Sequence, residues 1–311
     1  MEFLLAFQGA LAQGLLWAIL ALGTYITFRL LSFPDMTIDG AFAAGGCAAA
    51  MAIAAGVPPL IAMLFAAVIG ALAGAATGFF HTKLGIPEIL AGILTQISLY
   101  SINLRLLGRA NQPLLKMDTV FRQIQRAGEA LGLTLSLDQA GLIVGVVLVG
   151  VVVAALYWFF GTEIGAAIRA TGDNGAMVRA LGQNTHSVKV LALMISNAVI
   201  GFAGSLVAMY QGAGDVGMGA GAIVIGLASI VIGEVLFPRV RPFWAKMLAV
   251  VVGSLVYRVI VALVLQLGLN TNDLKLLTAV LVAAALYLPK AASGRQARKH
   301  AGAVEREDRH A

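Results

Sequence analysis

A chain of 311 residues that is 60% hydrophobic and only 12% charged, with a mean hydropathy of +0.91, is not composed like a water-soluble domain. Its net charge of +6 would suit nucleic acid, but in a chain this apolar Lys and Arg collect in the cytoplasmic loops of a membrane protein, so nucleic acid is set aside. Cys47 is the only cysteine, which excludes an internal disulfide and any cysteine-based metal or iron–sulfur site; it is expected to pack as a small apolar residue.

A membrane-spanning helix needs about 20 predominantly apolar residues. Runs of that kind predict an all-α polytopic membrane protein of about nine transmembrane helices, with any count from eight to ten defensible. They fall near 10–28, 40–56, 59–80, 88–107, 140–160, 188–210, 217–236, 245–267 and 274–289. The first begins with Glu2 and no Lys or Arg, unlike a secretory leader, and is read as a retained span.

After it comes "SFPDMTIDGAFAAGG", Ser32 to Gly46, with Asp35, Thr37 and Asp39 at alternate positions. Pro34 disfavours a helical residue before it, and the glycines permit close backbone approach, so an extended loop entering a helix at Asp39 is expected. It reads equally as an ordinary loop with Asp39 as N-cap or as the lining of a solute path. In "LAGILTQISLY", Thr95, Gln96 and Ser98 are polar at helical spacing, a pattern that also serves helix–helix packing. The segment 108–139 carries mixed charge and a helix-like "VFRQIQRAGEAL", and is expected to be an extracytoplasmic docking or capping element.

The polar segment 162–187 lies between two apolar runs and contains "AIRATGDNGAMVRALGQN". It predicts two short helices around "TGDNG", with Asp173 or Asn174 as N-cap and Gly182 just past the end. Met177 and Leu181, four apart, would form an apolar knob ringed by Asp173, Asn174 and Arg179, which favours a partner protein over plain solvation. Farther on, Ser229 and Glu234 sit in "GLASIVIGEVLF", and Arg258 interrupts the apolar run 245–267 near its middle. A charge so placed needs a partner or a function. Pairing with Asp39 or Glu234 is the favoured reading; contact with a substrate carboxylate is the other. The tail 290–311 loses all hydrophobic periodicity and is expected to be disordered.

Positive residues set the orientation. With the C-terminus inside and the N-terminus outside, Arg29, Lys83, Arg169, Arg179, Lys189, Arg239, Arg241, Lys246 and the basic tail are all cytoplasmic, and only Arg109, Lys116, Arg122 and Arg126 face out. A span meeting "SFPDMTIDGAFAAGG" and a later one meeting "QGAGDVGMGAGAIVIGLAS" hint at an inverted repeat, an arrangement that places binding sites at the repeat interface. No phosphate-binding loop, catalytic motif or metal constellation is present, so the chain is not expected to be an enzyme or to bind a cofactor, and any ATP would be bound by another subunit.

With these segments in view, the sequence resembles the permease subunits of bacterial ABC importers, in the branched-chain amino acid and ribose permease superfamily. The resemblance rests on "FPDMTIDGAFAAGG", on "RATGDNGAMVRALGQNTHSVKV", and on "SNAVIGFAGSLVAMYQG" leading into "GAIVIGLASIVIGE"; it covers about residues 10–289. More narrowly it is similar to the subgroup for aromatic amino acids such as tryptophan, since sugar-type permeases carry a "GIDLS" type motif where this chain has "TIDGAF". The resemblance implies a transmembrane domain over 1–289 and a coupling helix for a separate ATPase, with Gly172, Asp173, Asn174, Met177, Val178, Arg179, Leu181 and Gly182 as its residues. Asp35, Thr37, Asp39, Thr95, Gln96, Ser229 and Arg258 are the pathway candidates. It further implies ATP and Mg²⁺ on a partner ATPase dimer, an extracytoplasmic binding protein facing 108–139, a second permease subunit in a homodimer, and a place in the bacterial inner membrane. An ion-coupled secondary transporter and a sugar or nucleoside permease are the alternatives.

Overall fold

A computed structural model of the chain describes residues 2–266, 276, 278–280 and 283. The tail 290–311 and most of the span expected near 274–289 lie outside the described residues. Helices α1 (Glu2–Tyr25), α3 (Pro59–Thr82), α4 (Glu88–Leu107), α6 (Leu137–Phe160), α8 (Thr185–Gln211) and α10 (Phe243–Gln266) supply six segments long and apolar enough to cross a membrane; a π turn, Ile26–Leu30, extends α1. Two apolar helices are shorter, α2 (Ile38–Ala54) and α9 (Ala222–Leu236). At about 1.5 Å per residue they are less than full spans. The remaining helices, α5 (Val120–Ala130) and α7 (Glu163–Ala180), are not apolar spans, and two three-residue strands, β1 (Asn111–Pro113) and β2 (Ala213–Asp215), pair antiparallel.

Local sequence explains most boundaries. Pro58 and Pro87 precede α3 and α4, where a missing amide hydrogen and a fixed φ suit a helix start. Ser136 and Gln139 form a capping box at the head of α6. Gly108 and Gly212 take left-handed φ of +65° and +75° at the ends of α4 and α8. The expected span 217–236 starts later, at Ala222, because Met218, Ala220 and Ala222 donate to Asp215, Gly217 and Gly219 in successive turns.

The core is made by α1, α2, α8, α9 and α10, and its packing repeats. α8 lies against α2 and α3, and α1 lies against α9 and α10; α2 packs on α3 as α9 packs on α10. α1 and α8 also touch and run antiparallel: Gly23 meets Ser196 and Ile200, whereas Ala12 and Tyr210 both meet Gly141. In a bundle of this kind small residues at the crossings let backbones approach. A β-carbon on Gly204 of α8 would lie 2.0 Å from the carbonyl oxygen of Phe42 in α2, so that crossing requires glycine.

One end of the bundle gathers the termini of α1, α3 and α9, the starts of α8 and α10, and all of α7. The other gathers α5, β1, β2 and the turn after α2. There Phe121 of α5 is buried edge-on against Tyr210, ring centroids 5.5 Å apart, and Tyr210 donates to Asp138 at 2.6 Å. The segment 108–139 is thus a packed cap containing the expected helix.

Candidate functional site

The interrupted stretch between α1 and α2 is held by polar groups inside the protein. Asp35 Oδ1 accepts the backbone N–H of Thr37 at 2.8 Å, and Oδ2 accepts Nδ2 of Asn197, in the middle of α8, at 2.8 Å. Asp35 is fully buried, so these bonds replace its hydration. The hydroxyls of Thr37 and Thr77 lie 2.5 Å apart, Thr77 donates to Thr95 at 2.8 Å, and Thr95 donates to the carbonyl of Ala91 at 3.0 Å. This buried ladder ties the start of α2 to α3 and α4.

Asp39, one turn further, does something else. Its carboxylate accepts the N–H of Gly221 at 3.0 Å and of Ile223 at 2.8 Å, so a side chain from the first turn of α2 caps α9. The two short helices therefore start at the same place. From there α2 runs toward β2, where Ala50 meets Gly214, and α9 runs to the opposite end, where Glu234 pairs with Arg29. Two helix N-termini meeting make a locus of positive potential, and Asp39 offsets it.

Beside Asp39 a pocket of about 320 Å³ opens between α2, α4 and residues 216–220. Gln96, Tyr100 and Asn103 line it with Asp39. Asn103 is only 2% exposed, yet its Nδ2 has no partner among the described residues. A buried donor left open in a pocket wall is costly unless something fills the site. A second cavity of about 420 Å³, lined by Gly221, Tyr257 and Arg258, meets the first at Ala220.

The structure sorts the pathway candidates. Asp39 and Gln96 line the first pocket and Arg258 the second. Asp35, Thr37 and Thr95 are buried in the polar framework behind. Ser229 is buried inside α9, donating to the carbonyl of Ile225 at 2.8 Å, and touches neither pocket. Arg258 does not pair with Asp39 or Glu234 as expected. Asp39 is committed to amides of α9, and Glu234, at the far end of α9, is taken by Arg29. Arg258 instead reaches Gln13 Oε1 at 3.3 Å and lies 4.3 Å over the Trp17 ring, an aromatic counterpart rather than an acid.

Sequence reading passed over Tyr100, Asn103 and Asn197. An asparagine within an apolar run is itself a signal, because an amide in that setting needs a partner. Cys47 is buried beside Leu107 and Val216, and among the described residues no three of His, Cys, Asp or Glu converge as a metal site would need.

At the opposite end of α9, α7 lies across the bundle. It kinks at Asn174 (φ −154°, ψ 87°), whose Oδ1 accepts the N–H of Met177 at 3.0 Å, and Gly182 follows with φ +83°. A β-carbon on Gly172 would fall 2.0 Å from the carbonyl oxygen of Leu30, so α7 sits directly on the π turn that ends α1. Met177 and Leu181 are exposed, at 49% and 74%. Val178 is not: it turns inward and anchors the second half of the helix, and Arg179 bends back to Thr185 at 3.3 Å.

A multi-pass helical membrane protein whose two short helices start beside a largely apolar pocket holding a few polar groups is the class these features define. Residues 6–286 match the family described as branched-chain amino acid transport system, permease component, and the chain belongs to that family. It is 39% identical over 276 residues to a tyrosine transport system permease protein of Clostridioides difficile (strain R20291), covering 89% of this chain and 88% of that protein. It is 30% identical over 278 residues to an uncharacterized protein of Rickettsia prowazekii (strain Madrid E), covering 88% and 94%. No solved structure gives a significant match.

Proposed function

We propose that this chain is the membrane permease subunit of an ATP-binding cassette importer, crossing the bacterial cytoplasmic membrane nine times with its N-terminus outside and its C-terminus inside. α7 carries the reading: a kinked, capped helix seated on the end of α1, presenting the exposed apolar pair Met177 and Leu181 with no partner among the described residues. A separate ATPase dimer, holding ATP and Mg²⁺, would receive Met177 and Leu181 in a groove, flanked by Asp173, Asn174 and Arg179. Movement of α7 passes to α1 through the contact of Gly172 with Leu30, and to α8 through a short connection.

Two such subunits, most simply a homodimer, would enclose the path, and an extracytoplasmic binding protein would deliver substrate to the end capped by α5. The repeated packing of α1–α9–α10 and α8–α2–α3 supports an inverted repeat, with the pocket near Asp39 at its centre. The substrate class is an amino acid, aromatic in the first place, supported by the relative named for tyrosine transport. A pocket of about 320 Å³ offers an ammonium group the lone pairs that Asp39 keeps beyond its two amide bonds, a carboxylate the amide of Gln96, and a side chain the Tyr100 ring.

The test is to look for an ATPase with nucleotide-binding motifs encoded beside this chain and to co-purify the two. Met177→Asp puts a charge on the exposed apolar pair without touching buried Val178, and is expected to reduce recovery of the ATPase at least tenfold at unchanged thermal stability. Full recovery would remove α7 from the coupling role.

A further inference from the structure

A cleft of about 660 Å³ lies away from Asp39, at the α7 end, between the π turn, α7, the end of α9 and the first turns of α10. Its charged lining is Arg29, Arg169, Arg241 and Lys246 against Asp173 and Glu234. Glu234 is already paired with Arg29. Among the described residues Arg241, Lys246 and Asp173 form no ion pair, so three cations face one free carboxylate.

Arg169 is fixed in place. It donates through Nη2 to the carbonyl of Phe160 at 3.0 Å and stands 5.6 Å from the Phe243 ring centroid, while its buried Nε finds no acceptor among the described residues. A held guanidinium with an open donor, beside two unpaired cations in a cleft, is complementary to an anion with several oxygens.

We propose that this cleft binds a phosphate-bearing anion, in the first place the headgroup of an anionic phospholipid. Phosphate oxygens would meet Arg241, Lys246 and the cleft-facing edge of the Arg169 guanidinium together. The surroundings favour a lipid over a free phosphate ester. Phe237, 43% exposed, stands in the lining with Pro238, Val240 and Phe243, where acyl chains would lie, and Tyr25 and Ala249 carry the wall into the apolar bundle. The proposal shares Asp173 with the coupling surface given to α7 but rests on Arg169, Arg241 and Lys246, which have no part in that surface.

The experiment uses the full chain in detergent, with phosphatidylglycerol, phosphatidylcholine of equal chain length, or inorganic phosphate as the probe. Native mass spectrometry reads bound lipid, and thermal shift reads phosphate. The unmodified chain and Arg105→Gln/Lys116→Gln, which removes the same two charges from exposed positions at the other end of the bundle, are expected to retain phosphatidylglycerol over phosphatidylcholine. Arg241→Gln/Lys246→Gln is expected to retain it at least tenfold less. If inorganic phosphate protects the unmodified chain but not the double variant, and the two lipids bind alike, the site stands with a free phosphate ester as occupant. If neither probe distinguishes the unmodified chain from the double variant, the proposal is overturned, including when the variant has lost a protein partner instead. Should the double variant not assemble, Lys246→Gln alone takes its place under the same readings.

Discussion

Asp35 has both carboxylate oxygens committed inside the protein, whereas Asp39, four residues later, spends its oxygens on amides at the head of another helix beside a pocket. Their substitutions should therefore fail differently. Asp35→Ala removes the acceptor of the Thr37 N–H and of one of the two Asn197 Nδ2 hydrogen bonds, the other going to the carbonyl of Leu193, for which a loss of about 1–3 kcal/mol is expected, read as a lowered unfolding midpoint in detergent. Asp39→Asn keeps one capping oxygen but turns its NH2 toward the second amide, so a loss of about 1 kcal/mol is expected while uptake of the proposed amino acid substrate falls at least tenfold. Unimpaired uptake by Asp39→Asn would take its charge out of the path. The sequence marks both aspartates as unusual but cannot separate them. What separates them is Asn197, more than 160 positions away along the chain, and the glycine-rich start of α9.

Helix boundaries, by contrast, were largely legible, because hydropathy and caps are local properties. The expected run 88–107 is α4 to the residue, and the expected N-cap at Asn174 is present. The partner of Arg258 was not legible, since a buried cation suggests an acid from sequence and an aromatic face serves equally well once α1 and α10 are packed. Nor does sequence alone tell which of 36 glycines a helix crossing depends on. The geometry does: Gly204 admits no β-carbon against Phe42, while Gly150 of α6 has open space. Gly204→Val should force α8 from α2 and cost about 1–3 kcal/mol or more, seen as lost yield and a lower unfolding temperature. Gly150→Val should stay near neutral; equal damage from both would mean that close approach is not what the α2–α8 crossing relies on.

For the whole molecule, the charge argument made from sequence has a geometric counterpart. Arg29, Lys83, Arg169, Arg179, Lys189, Arg239, Arg241 and Lys246 lie at the α7 end, against Arg105, Arg109, Lys116, Arg122 and Arg126 at the end capped by α5. The α7 end is thus the more basic, as the proposed orientation with that end in the cytoplasm requires. Cys47, the single cysteine, gives a direct way to check this, because it is buried in a small apolar cluster and Cys47→Ala removes it with little change in volume. On that background Leu181→Cys, 74% exposed on α7, should react with a membrane-impermeant maleimide only in inside-out vesicles. Leu131→Cys, 80% exposed just after α5, should react only from outside, in intact spheroplasts. Labelling of both from the same side would break the alternation of spans on which the orientation rests. Reversed labelling would turn the molecule over, putting α7 beyond the reach of a cytoplasmic ATPase and ending the coupling proposal with it.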